Sequence, residues 1–132
     1  MPAERAALEA RQHSLSQLLG RRDLLLRADL LAPLGHWITP EVEPRRFDTR
    51  FFVAALPGRQ RARVAGTEAE DRFWIRPAEA LSTGLRLMPP TIAALTDLAG
   101  HADAASALAA ERVITTVLPR VELDGDRIRL VL

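Results

Sequence analysis

Cysteine does not occur in this 132-residue chain, which excludes disulfides, thiolate nucleophiles and thiolate-ligated metals. Lysine is missing too, so all 18 basic residues are arginines. GC-rich coding accounts for that bias and for the alanine and leucine content. Its chemical consequence is that Schiff-base catalysis and a phosphate-loop lysine are both ruled out. No apolar run approaches the roughly 20 residues that a membrane span needs. The start, Met1-Pro2-Ala3-Glu4-Arg5, lacks the basic segment and apolar stretch of a signal peptide. With a formal net charge of +1, nothing drives wholesale binding to nucleic acid or anionic membrane. The seven glycines are scattered, none at Gly-x-Gly spacing, so a glycine-rich phosphate loop is excluded as well.

What is present suits a globular protein: 48% of residues are apolar and 27% charged. The length suits one domain, or part of one, with a modest core, and a cytoplasmic location fits best. Good helix formers fill Ala3 to Leu19, and Ser14 with Gln17 has the form of a capping box, so a second helix can restart there and end at Gly20. Asp29 can cap one more turn before Pro33. Trp37-Ile38-Thr39 reads as a short strand. Phe47 to Leu56 reads as a strand apolar on both faces in its later part, the pattern of a central strand covered on both sides. Arg61 to Val64 and Arg72 to Arg76 are further strand candidates, separated by an acidic loop from Gly66 to Asp71. Pro77 opens a helix through Leu81 that Gly84 closes. A second helix covers Thr91 to Ala99, with Ile92, Leu95 and Leu98 in one stripe and Gly100 as its cap. Asp103 starts a short alanine-rich helix, and Asp124-Gly125 between alternating segments signals a terminal hairpin.

Few constellations carry chemistry. His13, His36 and His101 lie far apart in different elements and read as surface or packing residues, so no zinc site is expected. No serine has the Gly-x-Ser-x-Gly or Ser-x-x-Lys context of a nucleophile. Two clusters stand out. Glu68, Glu70 and Asp71 share one loop, where carboxylates can hold magnesium or one can act as general base; the bland alternative is a solvated acidic loop. Arg45, Arg46 and Arg50 gather beside Thr49, and guanidinium forks match phosphate geometry. The alternative there is that Arg46 and Arg50 pair with Asp48 or Glu43. Trp37, Trp74 and Phe47, Phe51, Phe52 and Phe73 sit at strand spacing, most of them as core and one as a possible base-stacking surface.

The segments Trp37-Ile38-Thr39-Pro40-Glu41 and Pro44-Arg45-Arg46-Phe47-Asp48-Thr49-Arg50-Phe51-Phe52 resemble the second half of bacterial Nudix hydrolases, in the branch related to peroxisomal coenzyme A diphosphatases. The resemblance continues through Glu68, Trp74-Ile75-Arg76-Pro77-Ala78-Glu79-Ala80-Leu81 and Leu87-Met88-Pro89-Pro90-Thr91. It implies an α+β fold, a partial Nudix-type mixed sheet packed by helices. An insert-like helical segment would occupy 1–34, the sheet and helices 35–100, and a short helix with a terminal β-hairpin 101–132. The family's metal-binding box, G-x5-E-x7-R-E-x2-E-E-x-G, does not occur here, and the resemblance implies that the chain begins just past it. Magnesium or manganese would then be needed only if that box were supplied from elsewhere. Two readings follow. In one, the chain is the substrate-side part of a diphosphate hydrolase, coenzyme A type favoured, inactive alone, with Glu68 and Glu70 near the metals and Arg45, Arg46, Thr49 and Arg50 toward substrate. In the other, it is a non-catalytic ligand-binding or protein-interaction module. Either invites a partner, the missing N-terminal half or a homodimer, to complete the sheet.

Overall fold

The computed structural model describes residues 2–61, 73–124 and 127–131. The chain divides into two compact units, Met1–Leu30 with Leu56–Phe73, and Leu31–Ala55 with Trp74–Leu132. The fold class is α+β, helices beside a small mixed sheet.

The first unit holds α1 (Pro2–Glu9), α2 (Leu15–Arg21) and a single 3-10 turn at Ala28–Leu30. Ser14 caps α2 as its spacing predicts: its hydroxyl accepts from the Gln17 amide at 3.2 Å, and the Gln17 side chain accepts from the Ser14 amide at 2.9 Å. The end of α2 differs from expectation. The helix runs through Gly20 to Arg21, and the chain reverses instead at Asp23, which takes a φ of 50°. Asp tolerates that left-handed conformation better than most residues. Arg22, just past the helix, reaches back to Glu4 of α1 at 2.7 Å.

The second unit contains β1 (Ala32–Ile38), β2 (Asp48–Val53), α3 (Pro77–Ser82), α4 (Pro89–Ala99), α5 (Ala104–Ala109), β3 (Thr116–Val117), β4 (Arg120–Asp124) and β5 (Arg127–Val131). The sheet order is β2-β1-β3, with β1 antiparallel to β2 and parallel to β3, while β4 and β5 form a separate antiparallel hairpin. The hairpin lies where Asp124-Gly125 placed it. Prolines occupy the first turns of α3 and α4, where their missing amide costs no bond. Asp103 caps α5, its carboxylate accepting from the Ser106 amide at 2.7 Å. That bond holds the Asp103 carboxyl below its ordinary range.

Three strand expectations are corrected. The first strand is longer than Trp37-Ile38-Thr39, beginning at Ala32, because a register shift between Pro33 and Gly35 absorbs two residues that otherwise break a strand. β2 is not the central strand that its apolar run suggested. Among the described residues it is an edge strand, its residues alternating between exposed and half-buried, with Phe52 left 52% exposed. The stretch 73–76 forms no strand. It is irregular, with Arg76 extended (φ −72°, ψ 142°), as its place before Pro77 requires, but without a ladder partner. Of the expected strand Arg61 to Val64, all but Arg61 lies outside the described residues.

The core is thin. Among the described residues only Trp37, Ala80, Ala107 and Pro119 are buried. α3 packs on α4, and α4 against β1. Arg112, in the irregular stretch between α5 and β3, ties this unit together. Its Nη2 donates to Asp97 Oδ1 at 2.6 Å, its Nε to both Asp97 oxygens at 3.1 Å, and its Nη1 to the Ala107 carbonyl at 2.8 Å. One side chain thus joins α4, α5 and the approach to β3.

The Arg112 guanidinium holds the Asp97 carboxyl below the usual carboxylate range, against a smaller opposing effect of burial. With the folded value depressed, the stability from this pair is complete above the unfolded aspartate pKa, about 3.9, and is lost as pH falls through the lower folded value. Asp97 is 35% exposed, so solvent screens the pair. Urea denaturation of Arg112→Ala at neutral pH is expected to show a loss of about 2 kcal/mol. The gap to the unsubstituted chain should narrow below a pH of about 4.

Candidate functional site

Alternation along the strands gives the three-stranded sheet two unlike faces. Trp37 opposes Thr49, and Gly35 opposes Phe51, on one face; His36 opposes Arg50, with Asp48 beside it, on the other. The first face floors a cavity of about 470 Å³, within the usual range for a small-molecule site. Trp37, Phe47, Phe51 and Thr49 come from the β1–β2 hairpin, Met88, Pro89 and Pro90 from the start of α4, and Pro119 and Val121 from the end of the chain.

The loop from Pro40 to Arg46 contributes the cavity's charged groups, Glu43 and Arg45. Thr39 closes this loop: its amide donates to the Phe47 carbonyl at 3.0 Å, its hydroxyl accepts from the Phe47 amide at 3.0 Å, and its carbonyl accepts from Arg46 Nε at 3.0 Å. A short turn inside the loop is fixed by the Glu43 amide on the Pro40 carbonyl at 3.2 Å.

The arginine cluster is therefore divided. Arg45 lines the cavity with Thr49 and has no ion pair or hydrogen bond to another described residue. Arg46 is engaged with the Thr39 carbonyl. Arg50 lies on the opposite face, 3.2 Å from Asp48. Glu68, Glu70 and Asp71 lie outside the described residues. Among the described residues no three His, Asp or Glu side chains gather as metal ligands. They do not fit a magnesium or manganese site, and no metal-dependent step is assigned to them.

The second face carries a network that was not legible in the sequence. His36 Nε2 lies 2.6 Å from Asp48 Oδ1, and His36 Nδ1 lies 2.8 Å from Thr116 Oγ1. Asp48 accepts from Nε2–H, which leaves Nδ1 to accept from the Thr116 hydroxyl. His36 thus bonds through both ring nitrogens to the two strands that flank its own. Its side chain is only 15% exposed. Thr116 is 80 residues from His36 in the chain, so no local pattern could have signalled the contact. Pro119 and Val121 reach the cavity across similar separations from Trp37.

No family model, curated protein or solved structure matches this chain. The site therefore rests on its geometry: aromatic walls, one guanidinium, one carboxylate and two threonine hydroxyls. Such a lining can enclose a flat or apolar group and anchor an attached anion.

Trp37 is 8% exposed and Trp74 81%, so the two indoles report different environments. In a Trp74→Phe variant the remaining emission should be blue-shifted and shielded from acrylamide. Removing His36 should act on the sheet instead. His36→Ala is expected to cost about 1 kcal/mol, with hydrogen exchange at Thr116 and Val117 accelerating more than in α4.

Proposed function

We propose that this chain is the substrate-binding part of a Nudix-type hydrolase that cleaves a nucleoside-diphosphate-linked substrate, the coenzyme A type favoured. On this reading the aromatic cavity takes the base or another apolar portion of the substrate, and Arg45 takes its phosphate charge. The metal-binding glutamates come from a partner, the missing N-terminal half of the enzyme, because this chain has no Arg-Glu-x-x-Glu-Glu string. It is accordingly inactive alone. On this reading the chain works in the cytoplasm. Among the described residues no helix is long and apolar enough to cross a membrane.

The observation that carries the proposal is the cavity itself, with Arg45 presented on a hydrogen-bonded loop beside Trp37, Phe47 and Phe51. The residues that carry the family resemblance in the sequence supply most of its lining. The second reading is a non-catalytic Nudix-derived ligand-binding or protein-interaction module, for which the aromatic lining of the cavity suffices.

Titration of the Trp74→Phe variant with coenzyme A and with ADP tests the proposal. Saturable change in Trp37 emission is expected. Arg45→Ala should weaken the binding about ten- to a hundredfold, the worth of one charge-assisted phosphate contact. Magnesium-dependent cleavage of either compound's diphosphate by the chain alone, at an enzymatic rate, would contradict the assignment. So would the absence of binding by both compounds.

A further inference from the structure

β2 stands at one end of the three-stranded sheet. Among the described residues no strand covers its outer edge, and Phe47 and Phe52 along it are 59% and 52% exposed. Register follows from the backbone. The Phe47 carbonyl bonds inward to the Thr39 amide, so the backbone groups of Thr49 and Phe51 also face β1, and those of Asp48, Arg50 and Phe52 face outward. An antiparallel second copy must therefore bond through its own Asp48 and Arg50. Three registers about a two-fold axis use those groups. Centring on Arg50 sets arginine against arginine, and centring on Asp48 sets aspartate against aspartate, both unfavourable. Centring on Thr49 sets Asp48 against the partner's Arg50, twice.

We propose that this chain forms a two-fold symmetric dimer by antiparallel pairing of β2 with β2 of a second copy, centred on Thr49. The sheet becomes continuous across six strands. On the polar face two Asp48–Arg50 pairs form between copies, next to His36. On the cavity face Phe47 of each copy stands across from Phe51 of the other, and the two Thr49 side chains meet at the axis. Because Phe47, Thr49 and Phe51 all line the cavity, each site gains a wall from the second copy. This assembly does not depend on the hydrolase reading.

A single cysteine at the axis tests it, since the chain has none of its own. Thr49 would oppose itself as a non-hydrogen-bonded pair, with Cα atoms about 4.5 Å apart, inside the range a disulfide spans. Under mild oxidation Thr49→Cys should yield a disulfide-linked dimer, and Val42→Cys, in the exposed loop, should not. Sedimentation of the cysteine-free chain should give twice the mass of one chain. Arg50→Asp, which sets aspartate against Asp48 of the second copy, should lose the dimer, and Arg50→Lys should keep it. A monomer at all concentrations overturns the proposal. So does a dimer indifferent to Arg50→Asp, or equal cross-linking at positions 49 and 42.

Discussion

One imidazole holds the sheet together. β3 is two residues long and meets β1 only at His36 and Trp37, too little backbone pairing to position it firmly. The His36 ring supplies the rest, bonded to Asp48 of β2 on one side and Thr116 of β3 on the other. Because successive residues of a strand face opposite ways, fixing His36 also fixes Trp37, the buried indole beneath the cavity. Arg112 acts upstream of the same strand, anchoring the chain to α4 and α5 four residues before Thr116. Two polar anchors thus supplement a thin apolar core.

The two faces of the sheet divide the work. The polar face is a network of Asp48, Arg50, His36 and Thr116 that sets strand order. The opposite face is aromatic and borders the cavity with Arg45. A ligand there would add contacts where the protein has few of its own, and it would stabilise the fold by mass action. A diphosphate bound by Arg45 and an apolar group against Trp37 would use both features of the lining. The chemistry of cleavage belongs, on the proposed reading, to glutamates outside this chain.

Much of the local structure was legible because it is set by neighbours in sequence. Ser14 with Gln17, Asp103 at the start of α5, Pro77 and Pro89-Pro90 at helix starts, and Asp124-Gly125 between strands all act within a few residues. The sheet was less legible. Phe51-Phe52-Val53 looks like the interior of a sheet, yet neighbours on both sides are needed to make it one, and β2 has β1 alone among the described residues. Pro33 and Gly35 look like breakers but sit at a register shift. The arginine cluster divides because Arg45 lies in the loop before β2, beside the cavity, while Arg50 lies in the strand itself and faces the other way. His36 looks isolated in the sequence because both its partners are fixed by strand register.

The state of the His36 ring is the most direct measure of whether this strap exists. Nitrogen-15 spectra of histidine-labelled protein, at a pH where the ring holds one proton, separate the two tautomers. A strapped ring gives a single form with the proton on Nε2, toward Asp48, and an unprotonated Nδ1 accepting from Thr116. Averaged nitrogen shifts, those of an imidazole exchanging freely between tautomers, would mean that the strands are not joined through His36.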